Sequence, residues 1–290
     1  MKYIFTLFFW IACVFMSSSQ ETKTKNKEID EIIDNLFNED EIIDELIKSL
    51  SNFEYIYISN SYSSSTYFSG RDIQIEQYNL KPQLSYVNSK GFFASLSGIY
   101  YSGFVPNWDV TIASIGFGKY IGNKKLFKYS TSYSKYFYNN EINNLYTNAI
   151  TGSFSFRDRS KFFGSQISGT FLFGEEESYQ FTSSSYLLLN LLKTKKYYIK
   201  FRPQINVIAG KQTIELATIR LYNDIPIRDI TRNDVFDLIN TQFNFPIEIS
   251  VNSFDMEFGY NLNLPAALGE ERNLKSTSYF NFSIGYLFNL

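Results

Sequence analysis

The chain has 290 residues, with 27 basic and 29 acidic side chains and a single cysteine. Because its formal net charge is only −2, it offers no electrostatic case for binding nucleic acid. Histidine is absent, which removes Ser-His-Asp and Cys-His catalysis and imidazole metal sites. We therefore expect no catalytic residues, no metal site and no cofactor.

The first 19 residues have the features of a secretory signal peptide. Lys2 supplies a positive charge, residues 4–16 form an apolar core, and the serines at 17–19 suit cleavage. This apolar run is too short to cross a bilayer as a helix. Cys13 lies inside it, so the mature chain is expected to have no disulfide and no thiolate chemistry. A lipid-modified Cys13 is the alternative, although Trp10 fits a lipidation motif poorly.

Residues 20–52 follow the signal and contain one amphipathic helix, predicted over residues 27–50. Ile and Leu recur there at four- and three-residue spacing, interrupted at Asp40, and acidic residues outnumber lysines. Three roles stay open: docking on its own domain, contact with a periplasmic partner or a second copy, and plugging a lumen. The acidity argues against a helix that lies on an anionic membrane surface.

From residue 53 onward, apolar and polar residues alternate with a period of two, which predicts strand after strand. The aromatic content of 19% is high, and no stretch after the signal is apolar for long enough to form a spanning helix. Such a chain can span a membrane only as a closed β-barrel. We predict about twelve strands, give or take about two. They lie near residues 54–62, 72–88, 91–101, 109–121, 125–138, 145–157, 161–173, 178–192, 196–210, 241–251, 254–265 and 277–290.

The predicted connections alternate between short and long along the chain. Such alternation is typical of an outer-membrane barrel with short periplasmic turns and longer external loops, and an even strand count leaves both termini in the periplasm. The short connections are NSKG, GNKK, DRS, KTK and Asn252-Ser253, and the longer ones are SGFVPNW, YNNEINN, GEEES, the stretch from Lys211 to Asn240, and AALGEERNLKS.

The last strand alternates large apolar residues with small or polar ones up to the final position. The residues that carry this pattern are Phe282, Ile284, Tyr286, Phe288 and Leu290. This ending resembles the C-terminal signature of bacterial outer-membrane β-barrel proteins, although Leu rather than Phe is last. The composition resembles that of barrels from Bacteroidota.

The resemblance covers residues 53–290 and has several implications. It implies an all-β, antiparallel, up-and-down transmembrane barrel in the outer membrane of a Gram-negative bacterium. The barrel would contact membrane lipid, its N-terminus would be periplasmic, and its last strand would be recognised by the barrel-assembly machinery.

One group of predicted lumen residues stands out from a lining that is mostly Ser, Thr, Asn and Gly. A turn at Asn252-Ser253 would place Glu248 opposite Glu257, and two basic residues would lie at the same height on another strand. We predict an ion-pair layer of Lys200 and Arg202 against Glu248 and Glu257, with Asp255 below. Such a layer either fills a narrow lumen or forms a constriction that selects solutes by charge.

The segment over residues 211–240 is too long and too apolar to be an unstructured loop between two strands. It could extend a hairpin above the membrane, or fold over or into the mouth of the barrel. The sequence does not choose between these arrangements.

Two functions are compatible with these features. The first is a passive channel or small-solute transport pore. The alternative is a filled-lumen barrel that serves as a membrane anchor or accessory subunit for periplasmic or surface partners. A barrel of about twelve strands lies between the sizes that are filled by side chains and those that enclose a channel, so size alone does not decide.

Overall fold

The structure is a computed structural model. It describes residues 54–68, 70–72, 76–122, 124–139, 146–194, 197–222, 225–267 and 274–290. The predicted signal peptide and the predicted helix over residues 27–50 lie outside the described residues. Within the described part of the chain, no helix is long and apolar enough to cross a membrane.

The described chain consists of antiparallel strands joined by turns and loops. The strands are β1 (Glu54–Ser63), β2 (Tyr67–Phe68), β3 (Arg71–Asp72), β4 (Asn79–Asn88), β5 (Phe92–Tyr101), β6 (Trp108–Ile121), β7 (Phe127–Tyr138), β8 (Tyr146–Arg157), β9 (Phe163–Gly174), β10 (Glu177–Leu187), β11 (Leu189–Lys193), β12 (Tyr197–Phe201), β13 (Gln204–Tyr222), β14 (Ile225–Val251), β15 (Phe254–Pro265) and β16 (Thr277–Asn289).

Twelve of these strands form a closed barrel wall: β1, β4 to β10 and β13 to β16. Each pairs with its neighbour along the chain, and β1 pairs with β16 from Tyr55↔Asn289 to Ser63↔Asn281, which closes the wall. The predicted closed antiparallel barrel of about twelve strands is therefore confirmed. Closure leaves no strand edge exposed, as a membrane-spanning sheet requires.

Two short strands, β11 and β12, continue β10 and β13 as one hairpin. They pair with each other, and β12 also pairs with β14 in the register of the β13–β14 ladder, with Lys200↔Glu248 followed by Gln204↔Asn244. The interruption falls at Pro203, which has no amide hydrogen for the ladder. The sequence analysis predicted uninterrupted strands over residues 178–192 and 196–210.

The wall alternates between an apolar outer face and a polar lumen face. Large apolar side chains on the outer face are exposed, reaching 60% for Ile167 and 64% for Phe280. Their neighbours in sequence, such as Thr151 and Ser153, point into the lumen, where both border a cavity. An exposed apolar belt of this extent on every wall strand matches the outer surface of a membrane barrel.

Tight turns at one end of the barrel depend on local chemistry. Between β4 and β5, the Asn88 carboxamide oxygen accepts hydrogen bonds from the amides of Lys90 and Phe92, and Gly91 has φ +91°. Between β8 and β9, hydrogen bonds from the Ser160 hydroxyl and then the Phe163 amide hold the pKa of Asp158 below its ordinary value. We call this the short-turn end; it also holds the β6–β7, β11–β12 and β14–β15 connections.

The opposite end, the long-loop end, differs from prediction in two places. The predicted loop GEEES is a tight connection, because β9 ends at Gly174 and β10 begins at Glu177. The predicted strand over residues 72–88 begins only at Asn79 in its wall-forming part. A segment of the β1–β4 connection instead folds across the mouth.

Candidate functional site in the barrel lumen

The predicted charged residues lie together on the wall formed by β12, β14 and β15. Lys200 pairs with Glu248 across β12 and β14, and Glu248 pairs with Glu257 across β14 and β15. The Nε atom of Arg202 lies 2.7 Å from Oε1 of Glu248, and both side chains are only 3% exposed. Asp255 is fully buried, one lumen-facing position from Glu257. We call these five residues the charged layer.

Neighbouring side chains hold the charged layer in place. The Asn281 side-chain amide donates a hydrogen bond of 2.7 Å to Oε1 of Glu257. The Lys200 ammonium lies 4.7 Å from the centroid of the Tyr198 ring, a distance at which cation–π attraction operates. Tyr57 packs over Gly285, where any Cβ would clash with its hydroxyl. The layer is therefore a packed, mostly buried cluster on one side of the lumen.

The chemistry available to this cluster is electrostatic. Three carboxylates face two cations, which leaves one formal negative charge if all five groups are ionised. No group of three or more His, Cys, Asp and Glu residues that could hold a metal occurs among the described residues. What the layer can do is place a fixed charge beside whatever passes through the lumen.

A second lumen region lies on β6, β7 and β8 and is lined by hydroxyl groups. The Ser114 and Ser134 hydroxyls are 2.8 Å apart, and those of Ser130 and Ser153 are 2.6 Å apart. These side chains border a cavity of about 220 Å³. We call this region the hydroxyl wall, defined by Ser114, Ser130, Ser132, Ser134, Thr151 and Ser153. It presents donors and acceptors without any charge.

A third region lies at the long-loop end, where residues 64–68 and 70–72, here called the mouth segment, cross over β14 to β16. The Arg71 guanidinium donates to the carbonyl oxygen of Ala266 at 2.7 Å, and the Thr277 hydroxyl donates to that of Gly70 at 2.8 Å. Between this segment and the wall lies a cavity of about 300 Å³. Sequence reasoning missed this region, because a Ser-rich stretch without periodicity gives no sign of burial.

The segment over residues 211–240 forms the hairpin that the sequence left as one alternative. β13 and β14 stay paired to Tyr222↔Ile225, well past Gly210, the last β13 residue that pairs with β10. At about 3.3 Å per residue, the backbone of this hairpin extends roughly 40 Å beyond the neighbouring strand. The backbone of this hairpin thus continues past the neighbouring strand, whereas the mouth segment crosses the mouth.

The C-terminal strand places its signature residues on the outer face. Phe288 and Leu290 are exposed, and the rings of Phe282 and Tyr286 pack against Phe258 and Phe254 of β15, with centroids 4.7 and 4.6 Å apart. β16 pairs with both β15 and β1. It is thus the strand that completes the barrel.

No family model matches the chain, and no curated protein matches it either. Among solved structures, it is similar to the KdgM porin at 9% identity and a TM-score of 0.42, over 80% of this chain and 98% of the porin. An outer-membrane channel from Pseudomonas putida F1 is similar at 10% identity and a TM-score of 0.43, over 82% and 95% of the two chains.

LpxR from Salmonella typhimurium is also similar, at 11% identity and a TM-score of 0.45, over 81% of this chain and all of LpxR. These likenesses concern outer-membrane β-barrel architecture only.

Proposed function

We propose that this chain is a passive channel for small polar solutes in the outer membrane of a Gram-negative bacterium. The observation that carries the proposal is the hydroxyl wall, which borders a cavity of about 220 Å³ inside a barrel whose outer face is apolar. Hydroxyl groups exchange hydrogen bonds with water and polar solutes without a fixed charge, so they line a pathway without trapping what crosses it. The chain would act without catalysis and without a cofactor.

The charged layer would tune this channel. Arg202 and Glu248 form an ion pair, and the layer as a whole carries three carboxylates and two cations. Lys81, Lys128 and Arg157 also face the lumen, so the lumen as a whole is not net negative. We expect weak ion selectivity rather than a strict filter, because charges of opposite sign in the lumen compensate each other in part.

The orientation and assembly of the barrel are part of the same proposal. The short-turn end would face the periplasm, with the N-terminus on that side, and the apolar belt would contact membrane lipid. The barrel-assembly machinery would recognise β16 through its outward residues Phe282, Ile284, Tyr286, Phe288 and Leu290. Residues 27–50 could contact a periplasmic partner or a second copy.

A second candidate function is a filled-lumen anchor or accessory subunit. The observation that favours it is the burial of lumen-facing residues near the short-turn end. Tyr55, Lys128, Arg157 and Leu287 are all as buried as the core of a soluble protein. A lumen that is filled at this level would pass no solute, and the barrel would then serve to present its loops or its N-terminal segment.

Ion conductance in a planar bilayer separates the two functions. We expect the refolded full chain to give steady current that rises with salt concentration. In a Cys13→Ser background, Ser132→Cys places a thiol in the lumen and Thr131→Cys places one on the lipid face of the same strand. A charged, membrane-impermeant thiol reagent should reduce the current of Ser132→Cys only. Silence from a barrel whose folding is verified by heat-modifiable gel mobility would favour the anchor.

A further inference from the structure

The cavity at the long-loop end, here called the mouth cavity, has a volume of about 300 Å³. The mouth segment lines one side of it, and wall strands β1, β4, β5 and β13 to β16 line the others. This volume is at the small end of the range for sites that bind small molecules. The side chains on which the inference depends are Ser63, Tyr67, Lys81, Asn240, Gln242 and Tyr279.

The lining of the mouth cavity is polar but almost uncharged. Most of the described lining residues are amides, hydroxyls or tyrosines, and Lys81 is the one charged side chain among them. A site for a phosphate or a dicarboxylate would be expected to converge several cations. The lining instead suits a ligand that has many hydroxyl groups and no net charge.

A chain of hydrogen bonds fixes the amides of the mouth cavity. The Asn240 amide donates to Oδ1 of Asn263 at 3.2 Å, and the Asn263 amide donates to the Thr277 hydroxyl at 3.1 Å. Asn240 is 3% exposed, and its Oδ1 atom accepts no hydrogen bond from the residues that the structure describes. An acceptor that is buried without a donor destabilises the fold. The chain of hydrogen bonds therefore holds the amide side chains of this wall of the cavity in fixed positions.

Two tyrosines add fixed ring faces to these amides. The rings of Tyr67 and Tyr279 are 6.0 Å apart at an interplanar angle of 49°. The Tyr67 hydroxyl donates to the carbonyl oxygen of Ser278, and the Tyr279 hydroxyl accepts from the Gln242 amide at 3.1 Å. Each ring is therefore held at its polar end while its apolar face remains available for contact.

We propose that the mouth cavity binds an uncharged saccharide of one or two rings. Saccharides combine hydroxyl groups, which match the amide and hydroxyl lining, with apolar C–H faces, which match the tyrosine rings. This inference rests on the proposed channel function, because the saccharide would be the class of solute that enters the lumen. Binding itself does not require transport, so the two are measured separately.

The test is saturation-transfer NMR on the full chain in detergent micelles, with glucose, galactose, maltose and N-acetylglucosamine as probes. We expect at least one to receive saturation, with a dissociation constant of roughly millimolar order. Tyr67→Leu should weaken binding about tenfold, the equivalent of one lost favourable contact. Ser63→Phe should abolish it by filling the mouth cavity. Ser132→Phe, which fills the separate cavity beside the hydroxyl wall, should leave it unchanged.

The proposal is overturned if no probe binds, or if binding survives both Tyr67→Leu and Ser63→Phe. Heat-modifiable mobility shows whether each variant folds, and Tyr67→Leu decides the matter if Ser63→Phe does not, since Tyr67 lies outside the barrel wall. Conductance without saccharide binding would refute the proposed saccharide site and support the channel function. Saccharide binding without conductance would support the site and refute the channel function.

Discussion

At the scale of single residues, the charged layer contains a buried ion pair. Arg202 and Glu248 are both 3% exposed, so neither charge has water to replace its partner. A buried ion pair adds little net stability compared with apolar residues, but removal of one partner leaves an uncompensated buried charge. The two side chains are therefore interdependent, and their substitution should be strongly non-additive.

We predict that Arg202→Met destabilises the folded barrel by about 3 kcal/mol, the lower end of the range for breaking a buried pair. The lower end applies because Lys200 also lies opposite Glu248 and compensates in part. The measurement is the midpoint of urea unfolding in micelles, with the loss of heat-modifiable gel mobility as the signal of unfolding. The double variant Arg202→Met/Glu248→Gln should recover more than half of the loss. A single variant as stable as the parent would show that the pair is not coupled.

Much of the charged layer could be predicted from sequence, and the reason is local. A two-residue turn at Asn252-Ser253 fixes the register of β14 against β15, so the opposition of Glu248 and Glu257 follows from counting outward from the turn. The contribution of Tyr57 and Asn281 could not be found in this way. β1 meets β16 only when the barrel closes, and no turn links these residues to the layer.

At the scale of elements, strands with strict alternation were predictable and irregular connections were not. β16 and the β14–β15 hairpin alternate without a break, so the pleat dictates which face is apolar. The mouth segment has no such period. Its position depends on hydrogen bonds from Arg71 and Thr277 to backbone carbonyls that are about two hundred residues away along the chain. Contacts of that sequence separation leave no local signal.

The turn between β4 and β5 provides an element-scale prediction. Gly91 has φ +91°, and a Cβ at this position would clash with the carbonyl oxygen of Gly118. We expect Gly91→Ala to destabilise the barrel by about 1 to 3 kcal/mol, from backbone strain and the displaced strand. Gly152→Ala is the matched control, because a Cβ at Gly152 would meet nothing within 4 Å. The comparison uses the same urea midpoint, and equal midpoints for both variants would contradict the turn geometry.

At the scale of the whole molecule, the described wall is self-sufficient. Its closing ladder joins Tyr55 to Asn289, so every strand of the barrel comes from residues 54–289. The lumen within that wall is divided: the charged layer lies on β12, β14 and β15, and the hydroxyl wall lies on β6 to β8. Lys128 on β7 and Arg157 on β8 add cations on the side of the hydroxyl wall, near the short-turn end. Fixed charges of both signs therefore face the lumen, which favours weak selectivity over strict filtering.

Self-sufficiency of the wall leads to a prediction for a variant that lacks residues 1–52. We expect this variant to refold with the same heat-modifiable mobility as the full mature chain, because no wall strand has been removed. In a planar bilayer its current should be at least as large as that of the mature chain beginning at residue 20. Equal currents would mean that residues 20–52 lie outside the conducting path, whereas a larger current would make them a plug of the lumen. A variant that fails to refold would contradict the prediction and would show that these residues support the barrel itself.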